Sequence, residues 1–168
     1  MDVRLRPLAV ADERAALEAH AEMAQEDFAF LPDWDPQEPW SAYLERLQAM
    51  RHGRELPAGW VPGALLAADV RGELVGSASI RFALNDFLVG VGGHIGYCVL
   101  PRYRRRGYAT EILCQSLMIA RCEGVDRVLV TCDERNVGSA TVIERAGGIL
   151  EDIRLDPSGV PRRRYWIS

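Results

Sequence analysis

The apolar run 94–100 is stopped by Pro101, and from Gly107 onward Ile112, Leu113, Leu117 and Ala120 fall on one side of a helix. Nothing else in the chain restricts its fold so tightly. A strand that hands over to an amphipathic helix across residues 101–106 needs a sheet for that helix to lie on, which makes the architecture mixed α/β. Gly124 closes the helix as a carboxy-terminal cap does.

The remaining elements fall into place around this unit. Val3-Arg4-Leu5-Arg6, closed by Pro7, alternates as an opening strand does. Residues 11–27 predict a helix with Ala15, Leu17, Ala21 and Met23 among its apolar positions, Asp12 capping its start, and an acidic outer face. Pro32, Pro36 and Pro39 forbid its continuation, and residues 40–50 resume a helix with Tyr43, Leu44 and Leu47 on one side. Runs 64–70 and 74–82, separated by Arg71-Gly72-Glu73, predict an antiparallel hairpin. Gly90, Gly92 and Gly93 precede His94 and permit a bulge or the close approach of a ligand. A strand at 127–132, a helix at 139–146 and two closing strands at 149–155 and 163–167 complete one domain spanning residues 1–168.

Charge and cysteine usage narrow the function. A net charge of −4 argues against a chain whose main work is gripping nucleic acid, although Arg102 to Arg106 and Arg162 to Arg164 leave that reading open as a rival. Eleven carboxylates against four arginines lie in residues 9–59, whereas Arg102, Arg104, Arg105 and Arg106 crowd one short stretch, so the two regions are expected to meet different ligands. Cys98, Cys114, Cys122 and Cys132 have neither zinc-site spacing nor the density of a disulfide scaffold, so no metal is expected. No run approaches the roughly 20 apolar residues of a membrane span, and no signal-peptide core opens the chain. No membrane partner and a cytoplasmic location are expected.

The segment Val99-Leu100-Pro101-Arg102-Tyr103-Arg104-Arg105-Arg106-Gly107-Tyr108-Ala109-Thr110 carries the chemistry. The first turn of a helix has backbone N–H groups with no intrahelical partner, and a loop curled over it presents them to a phosphate. Arginines add charge where the helix dipole already favours an anion. A pyrophosphate fits this pattern, as does a solvated arginine-rich turn.

Arg-x-x-Gly-x-Ala, placed after an apolar strand and opening an amphipathic helix, resembles the acyl-CoA signature of the GNAT acetyltransferase superfamily. Asn136-Val137-Gly138-Ser139 and the following Val142-Ile143-Glu144-Arg145-Ala146-Gly147-Gly148 resemble its second signature, and Gly93-His94-Ile95-Gly96-Tyr97 with Arg163-Arg164-Tyr165-Trp166 resembles a bacterial branch of predicted acetyltransferases. The likeness covers nearly all of the chain beyond residue 60 and is looser before it. It implies a single-domain α/β (α+β) fold: a mixed, mainly antiparallel sheet, its fourth and fifth strands splayed, flanked by about four helices. It further implies acetyl-CoA as acyl donor, its pantetheine arm in the splay beside the backbone of Val99 and Leu100. Arg104, Arg105, Arg106, Gly107, Tyr108, Ala109 and Thr110 would hold the pyrophosphate, and Asn136 and Ser139 would contact the arm. Ser139 also fits a helix amino cap.

Direct acetyl transfer to an amine needs alignment, an oxyanion donor and a route for the amine's proton. The resemblance implies a backbone N–H near Tyr97 or Cys98 as oxyanion donor. His94, with an intrinsic pKa near neutrality, is the candidate base, or else a histidine that orders the glycine-rich bulge. The superfamily's frequent general-acid tyrosine falls at Ile143 and an alternative base position at Thr131, and neither side chain can do that work. A noncatalytic acyl-CoA-binding module is the alternative. Glu22, Glu26, Asp27, Asp33, Asp35 and Asp86 would attract a cationic acceptor, either a small-molecule amine or a peptide amine, and a homodimer through the final strands is expected if Tyr165 and Trp166 are exposed.

Overall fold

The computed structural model describes residues 2–168. Seven strands form one sheet in the order β1-β2-β3-β4-β5-β7-β6: β1 (Val3–Pro7), β2 (Gly63–Val70), β3 (Glu73–Arg81), β4 (Ile95–Val99), β5 (Val128–Asp133), β6 (Ile149–Leu155) and β7 (Pro161–Ile167). Every neighbouring pair is antiparallel except β4 and β5, which run parallel. The parallel pair arises because α3 (Tyr108–Cys122) crosses from the end of β4 to the start of β5.

Side chains alternate across a strand, so the sheet buries two apolar faces. On one face Ala64, Leu66, Ile80, Ile95, Val128 and Val130 meet Leu113, Leu117 and Ala120 of α3 and Ile143 of α4 (Val137–Arg145). On the other, Leu65, Ala67 and Cys98 meet Ala16, Ala19 and Met23 of α1 (Glu13–Ala24) and Trp40 and Tyr43 of α2 (Trp40–Arg51). The face of α3 is the one its sequence predicts. That of α1 is rotated: Ala15 and Ala21 are exposed, and Ala16 and Ala19 are buried in their place. A helix of alanines and glutamates carries too little contrast in hydropathy to fix its own orientation, and packing against Leu65 and Ala67 decides it.

Asp12 makes no side-chain cap for α1. Its carboxylate instead accepts the Ala9 N–H and pairs with Arg6 across to β2, where Asp69 holds the same guanidinium. The glycine-bearing stretch before β4 is a single wide helical turn at Leu88–Gly92, a helical element that the sequence did not announce. Arg164 fastens this turn to the sheet: it is 1% exposed, donates to the Val89 carbonyl at 2.9 Å, and reaches Glu151 and Asp152 at 2.6 Å.

Candidate active site

The β4–β5 boundary is where the sheet opens. Ile95 pairs with Val130, and among the described residues no further register pair joins these strands. Beyond Ile95 the backbone of β4 alternates between its two sides. Leu100 donates to the Val75 carbonyl on β3, so the even-numbered residues face β3, and Tyr97 and Val99 turn their N–H groups towards β5. Both backbone groups of Leu100 are engaged, its carbonyl accepting the Tyr103 N–H at 2.9 Å. The open amides of the gap are therefore those of Tyr97 and Val99, and neither Leu100 nor Cys98 contributes one.

At the mouth of the gap the chain folds over the start of α3. Gly107 sits just before the helix at φ 81° and ψ 0°, a left-handed conformation that costs glycine little, and Arg105 adopts φ 63°. Left-handed residues in a turn help successive N–H groups face one concave side, as they do in anion-binding nests. The first intrahelical bond is donated by Glu111 to Gly107, which leaves the amides of Tyr108, Ala109 and Thr110 without helical acceptors and with no side-chain cap. These residues form one donor-rich surface with Arg105 and Arg106 beside it.

Arg104 lies apart from that surface. Its Nε donates to the Val99 carbonyl at 3.0 Å, its two Nη atoms grip Glu26 at 3.1 and 2.6 Å, and its backbone N–H goes to Pro101. Arg102 likewise reaches Glu22 at 3.1 Å. The arginine-rich turn and the acidic face of α1 were expected to meet separate ligands, and instead they meet each other. The Arg104 guanidinium holds the Glu26 carboxyl below its ordinary range.

Around the gap, side chains sort by sheet face. Tyr97 lies on the α3/α4 face with its hydroxyl 3.0 Å from that of Ser139, and burial pushes its phenol up to about 12. Asn136, not Ser139, caps α4: its Oδ1 accepts the Ser139 N–H at 3.0 Å, leaving the Ser139 hydroxyl for Tyr97. His94 is 6% exposed, and its Nδ1 accepts the Leu129 N–H at 2.9 Å. The neutral ring then carries its proton on Nε2, so neither nitrogen keeps a free lone pair, and burial, with Arg81 nearby, depresses its pKa. That arrangement ties β4 to β5 and does not suit a base. Thr131 donates to the Val91 carbonyl at 2.6 Å. Cys98 is buried with its thiol pushed up to about 11, the state of an inert cysteine.

A sequence profile described as Acetyltransferase (GNAT) domain matches residues 2–149. The chain belongs to the GNAT acetyltransferase family. The match takes in the residues before 60, where likeness in sequence is faint. Solved structures share the fold of this GNAT domain at low identity. Mycobacterium smegmatis RimJ in complex with CoA-disulfide is 21% identical, with a TM-score of 0.70 over 98% of this chain and 81% of its own. A Salmonella typhimurium acetyltransferase that modifies the N-terminal serine of ribosomal protein L7/L12 is 16% identical, with a TM-score of 0.68 over 99% and 95%. The microcin C7 self-immunity acetyltransferase MccE, in complex with acetyl-CoA and AMP, is 17% identical, with a TM-score of 0.64 over 99% and 92%. No curated protein matches the chain in sequence.

On the α1/α2 face of this GNAT domain a cavity of about 320 Å³ opens over β2 and β3, floored by Gly63, Leu65, Ser79 and Arg81 and walled by Leu47, Met50, Trp60, Phe87 and Leu88. Arg81, the last residue of β3, lies inside the apolar run 74–82 and belongs to no motif, so nothing in the sequence marks it. Carboxylates were expected here, and the cavity lining contains none. Glu22, Glu26 and Asp33 are held by Arg102, Arg104 and Arg46. Basic surface is likewise spent within the fold at the last strand, where Arg162 pairs with Asp156 at 3.1 Å and Arg164 is buried, which removes the arginine run expected of a nucleic-acid face. Tyr165 is fully buried and bonded to Glu144, and Trp166 is half-buried. The exposed apolar side chains of this region are instead Ile149, Leu150, Ile153 and Leu155 on β6.

Proposed function

We propose that this GNAT domain is an N-acetyltransferase that moves an acetyl group from acetyl-CoA to an amine by direct attack, with donor and acceptor bound together. The observation that carries this reading is the interrupted β4–β5 pairing, with the Tyr97 and Val99 amides facing into it and the uncapped start of α3 at its mouth. Acetyl-CoA supplies the acetyl group as a thioester, already activated towards an amine. The amides of residues 105–110 bind the pyrophosphate, with Arg105 and Arg106 adding charge. Val99 holds the pantetheine arm through its N–H as a neighbouring strand would, and the Tyr97 N–H is aimed at the carbonyl oxygen that gains charge.

The Tyr97 and Ser139 hydroxyls meet on the cofactor face, where the thiolate departs. With its phenol pushed up to about 12, Tyr97 keeps its proton at neutral pH and serves as a donor, not a base. The two candidate base positions at the gap, His94 and Thr131, are both engaged, so the amine arrives neutral or loses its proton to water. That same engagement favours the second reading, an acyl-CoA-binding module without turnover.

Calorimetry with acetyl-CoA tests the site. Gly107→Glu puts bulk and negative charge into the nest at a backbone strain of about 1–2 kcal/mol, so its folding is verified by thermal unfolding. Wild-type binding lost in the folded variant is the expected result, and a wild type that ignores acetyl-CoA overturns the proposal. Thiol release with a panel of small and peptide amines then separates transferase from binding module.

A further inference from the structure

Arg81 is a cation without a counter-ion. Two other arginines inside the fold are matched by carboxylates: Arg6 holds Asp12 and Asp69, and Arg164 holds Glu151 and Asp152. The Arg81 guanidinium touches the carbonyls of Gly92 and Gly93, both at 3.4 Å, and among the described residues no carboxylate lies within salt-bridge distance of it. A half-buried guanidinium with only two long bonds to neutral oxygens is under-satisfied, and an anion is the partner that corrects this.

Its position says which anion. Arg81, Ser79 and Leu65 share the sheet face opposite α3 and α4 and all three line the cavity, so the Arg81 side chain lies on the cavity's side of the sheet and away from the surface proposed for acetyl-CoA. Gly96 pairs with Ser79, and a side chain at Gly96 would stand 3.7 Å from Arg81 Nη1. The next residue along β4 is Tyr97, whose N–H faces the gap. A group bound to Arg81 is therefore held at the near edge of the gap, with the walls of Leu47, Met50, Trp60, Phe87 and Leu88 around whatever is attached to it. The volume sits at the small end of the roughly 300–1,000 Å³ found for small-molecule sites.

We infer that Arg81 is the anchor for a carboxylate on the acceptor, and that the acceptor is an amino compound of amino-acid size with an apolar side chain. This rests on the transferase reading above for the identity of the reaction, but not for the binding itself. It replaces the cationic acceptor that the acidic residues of the first half suggested, because Glu22, Glu26 and Asp33 are bound to arginines and none of the six carboxylates lines the cavity.

The test uses N-acetyl-leucine and N-acetyl-phenylalanine, the products expected of such acceptors, against their carboxamides, by calorimetry on wild type, Arg81→Met and Arg81→Lys. Wild type should bind the acids at least tenfold more tightly than the amides, the methionine variant should lose that ratio, and the lysine variant should keep part of it. Acetyl-CoA affinity should be unchanged in both variants, which also reports that they are folded. Equal binding of acid and amide by wild type, no binding of either, or an undiminished ratio in Arg81→Met overturns the anchor. Leucine and phenylalanine with acetyl-CoA, read by thiol release, test the transfer separately. Acid-selective binding without thiol release keeps the anchor and removes the transferase, and thiol release with amines that lack a carboxylate does the reverse.

Discussion

His94 offers the sharpest contrast between a chemical and an architectural role. Truncation to alanine removes a buried ring packed against Trp166 and leaves the Leu129 N–H without its acceptor. An orphaned buried amide costs about 1–3 kcal/mol, and with the lost packing the total is about 3 kcal/mol. For a domain of this size that lowers Tm by about 6–12 °C. His94→Gln keeps a side-chain oxygen able to accept the same N–H, so it should recover most of the loss, yet glutamine cannot act as a base. Removing a true general base costs about 10²- to 10⁴-fold in rate. The expected outcome is a glutamine variant within tenfold of wild type in kcat/KM and an alanine variant that is thermally weakened. The pH profile adds a second readout. Because the folded-state pKa of His94 is lowered, its contribution to stability is full above about 6.5, its ordinary value, and is lost as pH falls through and below it. The glutamine variant should lack that slope. A folded His94→Gln protein with activity down more than a hundredfold would refute the architectural account.

Two further outcomes follow from the geometry. Gly93 occupies φ 67° and ψ −176°, nearly exclusive to glycine, and a Cβ there would stand 2.7 Å from the Leu129 carbonyl oxygen. Gly93→Ala should therefore cost about 3 kcal/mol in chemical denaturation, and a loss under 1 kcal/mol would show that β4 and β5 can part at their junction without strain. Arg104 and Glu26 are 41% and 44% exposed, so a double-mutant cycle with Glu26→Gln and Arg104→Gln should give a coupling of only about 0.5 kcal/mol that fades in high salt; a large, salt-insensitive value would contradict a solvent-screened pair.

The parts of the molecule that could be read in advance are those where local pattern and global packing agree. α3 has a wide apolar face and kept its predicted register, and the hairpin β2–β3 turned at its Arg71-Gly72 signal. α1 carries the weaker pattern, and its orientation came from the sheet. The loop between α1 and α2 buries Phe30 and Leu31, which no periodicity marks, because His20 and Tyr43 hold its backbone from either side. At the candidate site, the backbone donors of residues 105–110 were legible from a strand, a turn and a helix start. Side-chain roles were not, since the partners of His94, Arg104 and Arg81 lie in other elements, and a linear pattern cannot say which charges will find one another.

The interruption between β4 and β5 also bears on which extended chains can reach the interior of the sheet. A sheet cut in its middle has two additional edges, and free edges invite other strands to add on. Here the two edges converge to contact at Ile95 and Val130, so the space between them is a wedge closed at one end and overhung by the 101–107 turn at the other. A strand of a second molecule, with side chains projecting from both faces, meets the packed cores of both layers before its backbone can reach Tyr97 or Val99. Unpaired amides are kept available in the interior of the sheet without being offered to every extended chain in solution.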